Sequence, residues 1–287
     1  MTNTFPIRQL GDTEFPPLLR EIPEPPETLF LRGELPPPGA HCLAVVGSRN
    51  YSNYGKQVVE YLIQGLRGHN IAIISGLALG IDARAHEAAL DSGLYTLAVP
   101  GSGIDDTVLY PQTNRRLAYR ILEQGGGILS EFEPSFTATK WSFPKRNRIM
   151  AGMSHATLMI EASEKSGTLI TVRLTADYNR ELLVVPGNIF GENSKGPHQF
   201  LKLGATPITT PEDILAVFNI EQAQEHEVKP IDYSPSEIAV LQKLQEPIDR
   251  DSLIRALGLD TSEANILLMD MELKGRIRES NGIFYKP

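Results

Sequence analysis

The sequence CLAVVGSR (residues 42–49) is an apolar run of strand length that ends in a Gly-Ser-Arg turn. Similar short runs recur along the chain, at residues 71–74, 95–99, 127–129, 156–160 and 181–185. Most of the segments between them have the apolar spacing of helices. Strands that are apolar on both faces and separated by helices are typical of a parallel sheet covered on both sides. The sequence therefore predicts an α/β fold with an extended, Rossmann-like, doubly wound parallel sheet over residues 41–218.

The regions on either side of residues 41–218 differ from it in composition. Residues 1–40 are proline-rich and predict an extended N-terminal extension, in which residues 29–31 form a short strand or an apolar anchor. Residues 219–233 are polar and acidic and predict a linker. Residues 234–287 begin with the capping-box sequence SPSE and predict three helices and a hairpin. We interpret this last region as a small winged-helix-like domain.

Composition limits the classes of function. The 287 residues carry a formal net charge of −8, which argues against a protein coated in basic surface, such as a nonspecific duplex binder. Any phosphate-binding surface must then be a local basic cluster. The single cysteine, Cys42, excludes an internal disulfide framework. There is no signal-peptide pattern and no apolar run long enough to span a membrane, so we expect a cytoplasmic protein without a membrane partner.

One segment, KWSFPKRNRI at residues 140–149, concentrates positive charge. It holds four cations and two aromatic residues, and no acidic residue occurs between Glu133 and Glu161. Single strands of nucleic acid are bound by aromatic faces that stack on bases, beside cations that contact phosphates. This segment therefore predicts a site for a single strand. The alternative is that the aromatic residues pack into the core and the cations are solvated or paired, and we expect core packing of Trp141.

Two turns at the predicted sheet edge complete the candidate site. The first is Gly47-Ser48-Arg49, where an arginine directly follows a buried strand and its guanidinium suits a phosphate. The second is Ser166-Gly167-Thr168, just before a predicted helix at residues 168–178. A glycine-containing turn at a helix N-terminus can bind an anion. Plain capping of that helix by Ser166 is an equally good interpretation.

Familiar cofactor and catalytic patterns are missing. The turn after Gly47 lacks the Lys-Ser or Lys-Thr of a phosphate-binding loop, and Asp106 stands where a dinucleotide fingerprint needs glycine or alanine. The histidines have no metal-ligand spacing. Three glutamates could face the cleft without forming an evident acid–base pair: Glu131, Glu133 and Glu161. We therefore predict no catalytic residues, no metal and no cofactor.

Taken together, the motifs resemble the DNA-processing protein A (DprA/Smf) family. The matching stretches occur in the family's order and cover roughly residues 15–210: VVGSR (45–49), SGLALGIDARAHEAAL (75–90), YPQTNRRL (110–117), LSE (129–131), FPKRNRIMAGMS (143–154), EASEKSGTL (161–169) and VVPG (184–187). The resemblance implies binding of single-stranded DNA, a homodimer, protection of incoming DNA, and loading of the RecA recombinase during natural transformation and DNA recombination.

The resemblance also assigns site residues. It implies that Arg49, Lys140 and Phe143 contact the strand, together with groups of the two turns. The expected DNA-binding set is Gly47, Ser48, Arg49, Lys140, Phe143, Lys145, Arg146, Asn147, Arg148, Ser166, Gly167 and Thr168. For Arg146, Asn147 and Arg148 the alternative is that they brace the site from within.

The sequence departs from the family in two places and leaves two rival functions open. Many members carry a helical SAM-like domain ahead of the Rossmann-like region, and we expect that residues 1–40 leave no room for one. The expected recognition helix carries Glu263, Asp270 and Glu272, which argues against duplex reading. The first rival is a nucleotide-processing enzyme like the LOG-type phosphoribohydrolases, although Ile170 and Thr171 stand where their paired glutamates would be. The second rival is a module that senses a free nucleotide.

Overall fold

Two units make up the chain in the computed structural model, residues 1–222 and residues 223–287. The structure describes residues 5–220, 233–244, 246–280 and 282–286. Most of the predicted linker at residues 219–233 lies outside the described residues.

A nine-stranded sheet forms the centre of the first unit. Its strands are β1 (Ile7–Gln9), β2 (Phe30–Gly33), β3 (His41–Val46), β4 (Ile71–Ser75), β5 (Tyr95–Ala98), β6 (Gly127–Ser130), β7 (Ala156–Met159), β8 (Glu181–Val184) and β9 (Thr206–Pro207). Their spatial order is β1-β2-β6-β5-β4-β3-β7-β8-β9. The seven strands from β3 onward are parallel, whereas β1 and β2 are antiparallel to their neighbours. The predicted α/β fold class is confirmed.

Helices cover both faces of this sheet. They are α1 (Pro17–Arg20), α2 (Asn53–Gln64), α3 (Ile81–Asp91), α4 (Arg115–Glu123), α5 (Ser142–Met153), α6 (Thr168–Asp177), α7 (Lys195–Lys202) and α8 (Pro211–Val217). Successive residues of a strand point to opposite faces. In β3, Cys42 and Val46 pack toward α1, α5, α6 and α7, and Leu43 and Val45 pack toward α2, α3 and α8. Burial on both faces explains why β3 is continuously apolar.

The strand order reverses between β3 and β7. From β3 the chain proceeds outward through β4, β5 and β6, then returns to the other side of β3 as β7 and continues to β8 and β9. At such a point the loops that follow two neighbouring strands diverge and leave a crevice at the carboxyl ends of the strands, where open α/β sheets bind ligands.

The proline-rich segment is part of the first unit rather than a separate extension. β2 pairs with β6 and β1 pairs with β2, so both strands extend the sheet at one edge. Leu29 and Leu31 are fully buried. The predicted boundary at residue 40 is therefore wrong. Prolines between the two strands do not prevent pairing, because they lie in the connection rather than in the hydrogen-bonded ladder.

The second unit has the predicted helices and one more strand than expected. Its elements are α9 (Pro235–Lys243), β10 (Ile248–Asp249), α10 (Arg250–Leu257), α11 (Thr261–Leu273), β11 (Arg278–Ser280) and β12 (Ile283–Tyr285). Ser234 and Glu237 form the capping box at the start of α9. The predicted hairpin is present, with β12 between β10 and β11. Asn281, in the predicted turn, lies outside the described residues.

Helix α11, which occupies the position of a recognition helix, has an apolar rather than a basic surface. Ile266, Met269 and Leu273 are exposed on it. Arg276, which follows α11, is engaged within the unit, because it forms an ion pair with the nearly buried Glu237 and lies over the ring of Tyr233. Phosphate contacts need free cations, and α11 contains neither lysine nor arginine.

Candidate functional site

A cavity of about 420 Å³ lies at the reversal point, between the loop after β3 and the loop after β7. Nine of the twelve expected site residues line it: Gly47, Ser48, Arg49, Phe143, Arg146, Asn147, Ser166, Gly167 and Thr168. Lys140, Lys145 and Arg148 do not. The remaining lining residues include Asn50, Ala78, Asp82 and Ile170. Segments far apart in the sequence thus meet at one edge of the sheet.

Two glycines allow the loop after β3 to approach the start of α3 closely. A Cβ on Gly47 would lie 2.6–2.8 Å from side-chain atoms of Ile81, and a Cβ on Gly80 would lie 2.3 Å from the Ser48 carbonyl oxygen. Gly80 also has φ of +88°, which favours glycine. The Ile81 amide donates to the Ser48 carbonyl at 3.1 Å. This close packing fixes the backbone from which the Arg49 side chain extends.

Arg49 and Phe143 form one wall of the cavity. The Arg49 guanidinium carbon lies 5.6 Å from the centroid of the Phe143 ring, a cation–π distance. Gly101 makes room for that ring, because a Cβ there would lie 2.5 Å from it. The Ser142 hydroxyl donates to the Gly101 carbonyl and ties the start of α5 to the same loop. A cation and an aromatic face are therefore held side by side.

The amino end of α6 forms the opposite wall. The Ser166 hydroxyl accepts a hydrogen bond from the Thr168 amide at 3.2 Å, whereas the N-cap position of α6 is held by Gly167, which has no side chain to cap the helix. The Thr168 hydroxyl donates to the Gly47 carbonyl at 3.0 Å and joins the two turns. A Cβ on Gly167 would meet nothing within 4 Å. The positive end of the α6 dipole still faces open space, so the wall can also attract an anion.

Arg146 forms part of the cavity floor and is only 5% exposed. Its guanidinium donates to the carbonyls of Gly76 and Val99, which directly follow β4 and β5. Burial lowers the pKa of Arg146 to about 10, although the nearby Asp82 opposes this shift. Burial also raises the pKa of the Asp82 carboxyl, against the effects of Arg146 and of the Ala78 and Gly76 amides. Arg146 thus braces two loops from below and adds positive charge to the floor.

Asn147 lies beside Arg146 in that floor. It is almost fully buried, and its side-chain oxygen accepts from the Arg146 Nε at 3.2 Å. For this pair the structure supports the bracing interpretation.

Arg148 and Lys145 point away from the cavity. The Arg148 guanidinium donates to Glu131 and to the Glu24 carbonyl, and its side chain is 11% exposed. The Lys145 Nζ lies 3.3 Å from the same Glu131 carboxylate. Their positive charge therefore offsets a buried carboxylate, and we no longer assign these two residues to strand contact.

Lys140 and Trp141 lie in the loop and helix start that precede Phe143. Lys140 is exposed and has no ion-pair partner within 4.0 Å among the described residues. Trp141 is 55% exposed, so the expectation that it packs into the core is wrong. Its ring instead packs edge-to-face against Phe132 and Phe136, with centroid distances of 5.7 and 5.5 Å. It does not line the cavity.

The residues lining the cavity include one carboxylate, Asp82, and neither histidine nor cysteine. Two of the glutamates considered above have structural partners. Glu161 accepts from the amide and hydroxyl of Ser52 at the start of α2, and Glu131 pairs with Arg148. Burial raises the pKa of the Cys42 thiol to about 12. These groups are not placed for acid–base or nucleophilic chemistry in the cavity.

The described parts of the chain contain neither a cluster of metal-binding side chains nor a helix that could span a membrane. No group of three or more His, Cys, Asp or Glu side chains there is arranged to hold a metal ion. No helix among those residues is long and apolar enough to cross a bilayer.

Sequence reasoning missed Asp82 and Ala78 as parts of the site. Both lie in the stretch SGLALGID, which follows β4 and contains the glycines that let it fold under Arg49. The available signal was the rule that loops after neighbouring parallel strands share one edge.

Family models match both units of this chain. Residues 7–219 match the family described as DNA recombination-mediator protein A, and residues 224–282 match the DprA winged helix domain. Protein Smf of Escherichia coli is 42% identical over 206 residues, which are 71% of this chain and 54% of that protein. The chain thus matches about half the length of that relative.

Two solved structures are also similar. DNA processing protein A from Streptococcus pneumoniae superposes with a TM-score of 0.68 at 39% identity, over 75% of this chain and 74% of that one. DNA processing protein A from Helicobacter pylori superposes with a TM-score of 0.66 at 28% identity, over 76% of this chain and 98% of that one. That structure was reported for its single-stranded DNA binding mode. The chain belongs to the DNA recombination-mediator protein A (DprA/Smf) family and ends in a DprA-type winged-helix domain.

Proposed function

We propose that this protein binds single-stranded DNA in the cavity and acts in DNA processing without catalysing a reaction on the strand. Arg49 contacts a phosphate, the Phe143 ring stacks on a base, and the turn at residues 166–168 receives a neighbouring phosphate. Lys140, exposed just ahead of Phe143, adds a phosphate contact outside the cavity.

The observation that carries this proposal is the pairing of Arg49 with Phe143. The Arg49 guanidinium is held 5.6 Å from the Phe143 ring, and a helix N-terminus lines the same cavity. The cavity therefore provides a partner for the phosphate of a nucleotide and another for its base. The protein from Helicobacter pylori, with its reported single-strand binding mode, supports the same assignment.

The chemistry of the cavity favours a single strand over a duplex. Stacking on Phe143 needs the flat face of a base, which is covered by its neighbours in a paired helix. The second unit adds little for duplex binding, because α11 exposes apolar side chains and carries acidic residues. A protein-docking or structural role suits that helix better.

We further propose that the protein acts as a homodimer in the cytoplasm and passes its strand to the RecA recombinase during natural transformation. Membership of the family supports these steps. Two cavities in one dimer would hold a longer strand more tightly than one cavity, since the second contact becomes intramolecular. Gel filtration with light scattering tests the dimer, and RecA-dependent strand exchange on pre-coated single strands tests the transfer.

The enzyme alternative has one observation in its favour, the Asp82 carboxylate in the floor of the cavity. A LOG-type phosphoribohydrolase would release the free base from a nucleoside 5′-monophosphate. We expect no release. Base release by the wild type that Asp82→Asn abolishes would favour the enzyme.

The decisive experiment compares binding of oligothymidylate and of a duplex across a salt series for the wild type, Arg49→Ala and Phe143→Ala. We expect salt-sensitive binding that prefers the single strand. Each substitution removes about 1–3 kcal/mol of binding free energy, through a phosphate contact or a stacked base. Arg49→Ala should also reduce the log–log salt slope by about 0.7, the contribution of one phosphate.

Arg67→Ala is the matched control. Arg67 is exposed and precedes β4, so it lies at the amino ends of the strands, away from the cavity, and its loss changes the net charge equally. Affinity lost equally in Arg67→Ala and Arg49→Ala would mean that net charge alone drives binding. Strand binding that neither Arg49→Ala nor Phe143→Ala weakens would contradict the proposed site.

A further inference from the structure

We propose that Tyr110 forms a second base-stacking position next to Phe143, so that the bound strand leaves the cavity over Phe143 toward Tyr110 and Leu79. This inference rests on the proposed function, since it extends the same strand. It assigns a role to the start of the motif YPQTNRRL (residues 110–117), none of whose residues lines the cavity.

The rings of Tyr110 and Phe143 lie against each other at the edge of the cavity. Their centroids lie 5.6 Å apart and their planes are tilted by 55°. Tyr110 is 45% exposed and Leu79 48% exposed. Both line a small depression that shares Arg49, Phe143 and Arg146 with the cavity. The apolar surface beyond Phe143 therefore begins where the cavity ends.

Tyr110 is held in this position by its backbone and by the segment after it. Its amide donates to the Ser102 hydroxyl at 3.1 Å, and Ser102 is fully buried. Four residues later, the Asn114 side chain donates to the carbonyls of Leu77 and Ala78 at 2.8 and 3.2 Å. Leu77 has the uncommon φ of +57°, and Ala78 lines the cavity. The motif thus fixes Tyr110 and the cavity edge as one unit.

The geometry limits how a base can bind there. The depression encloses only about 20 Å³, too little for a base. Rings 5.6 Å apart and tilted by 55° leave no parallel gap between them. The base must therefore lie on the outer face of Tyr110, as the neighbour of the base on Phe143. Such stacking tolerates any base, because every base has a flat face.

Trp141 is the competing candidate for this role. It is also an exposed aromatic residue near Phe143 in sequence, with Lys145 6.0 Å from its ring centroid. However, Trp141 contacts Phe132 and Phe136 and lines neither the cavity nor the depression. Tyr110 has both the contact with Phe143 and the shared lining residues. We therefore expect the strand to pass Tyr110.

The test measures affinity for a long oligothymidylate and for one of about four nucleotides, near the smallest site size of single-strand binders. Tyr110→Ala should weaken binding of the long oligonucleotide by about fivefold or more and change binding of the short one by less than about twofold. Tyr110→Phe keeps the ring and should bind both like the wild type. Trp141→Ala should also match the wild type, as should Tyr61→Ala, which removes an exposed tyrosine of α2 outside the cavity and the depression.

Each outcome decides between the inference and the proposed function. Loss in Trp141→Ala with none in Tyr110→Ala would overturn the inference and leave the proposed function intact. So would equal loss for both lengths in Tyr110→Ala together with a lower melting temperature, since that marks a structural role. If the wild type binds neither oligonucleotide, the proposed function itself fails.

Discussion

The two sides of helix α5 carry the same kinds of residue and use them in different ways. On the cavity side, Phe143 and Arg146 line the binding space, and Arg146 donates to loop carbonyls. On the other side, Lys145 and Arg148 surround Glu131, whose side chain is only 5% exposed. The sequence PKRNR contains three cations within five residues, yet Arg148 is committed to a buried carboxylate.

This difference shows that a basic run in a sequence does not measure the charge available to a ligand. A cation beside a buried carboxylate offsets the cost of burying that carboxylate, and its loss leaves an uncompensated charge. A cation among carbonyls at a cavity floor keeps part of its field for a ligand. The number of usable cations near the cavity is therefore smaller than the number in the motif.

Arg148→Ala is expected to have the largest effect, which is a loss of folding stability. Removing one partner of a buried ion pair typically costs about 3–5 kcal/mol. The nearby Lys145 can offset part of this loss. Urea unfolding monitored by circular dichroism measures the change, and strand affinity of the folded protein should stay within about twofold of the wild type.

Lys145→Ala is the control for Arg148→Ala, because it removes the more exposed partner of the same carboxylate. Exposed pairs contribute about 0–1 kcal/mol, so a small change in stability is expected. If Arg148→Ala leaves stability unchanged but lowers affinity as much as Arg49→Ala does, the distinction between the two sides of α5 is wrong.

Most of the fold was predictable, because the parallel strands are buried on both faces and their apolar runs are unambiguous. The predicted strands that became β3, β4 and β7 agree with the structure to within a residue at each end. The N-terminal strands were harder to predict. β1 has three residues, and β2 is separated from it by prolines that suggest extended chain. Only pairing with β6, distant in sequence, makes β2 part of the sheet.

The residue types of the candidate site were predictable from the sequence, but the direction in which each side chain points was not. Helix α5 is buried along most of its length, so its sequence lacks the polar face by which helices are recognised. Without the helix, the sequence could not separate Arg146 from Arg148, which point to different surroundings. Trp141 was assigned to the core because large aromatic residues usually are buried, and it is instead exposed beside Phe132 and Phe136.

His86 is a second buried basic side chain, and unlike Arg148 it is hydrogen-bonded to a hydroxyl rather than to a carboxylate. It is fully buried and hydrogen-bonded to the Thr96 hydroxyl at 2.7 Å. Burial lowers its pKa to about 3 from an ordinary value of 6.5, so the folded protein keeps the ring neutral. The unfolded chain takes up a proton below about pH 6.5. Stability should therefore fall as the pH drops from about 6.5 toward 3, by up to about 1.4 kcal/mol per pH unit.

The measurement is urea unfolding at several pH values between 5 and 7 for the wild type and for His86→Asn. Asparagine retains a hydrogen-bonding group but does not titrate, so the pH dependence of the variant should be weaker by up to about 2 kcal/mol across the range. Parallel curves for the two proteins would mean that His86 takes up a proton in the folded state over the same pH range as in the unfolded chain.

The smallest expected effect is a difference in strand binding between two exposed lysines that lie on either side of Phe143 in the sequence. Lys140 has no ion-pair partner within 4.0 Å among the described residues, whereas Lys145 lies 3.3 Å from Glu131 and over the ring of Phe132. Lys140→Ala should lower affinity for oligothymidylate by about threefold and reduce the log–log salt slope by about 0.7, since one phosphate contact is lost. Lys145→Ala changes the net charge equally but should leave both affinity and slope unchanged. Because the two variants match in charge and exposure, a difference between them cannot come from long-range attraction and must come from where each ammonium group lies. Equal losses would contradict the phosphate contact of Lys140 and would mean that net charge alone accounts for the effect.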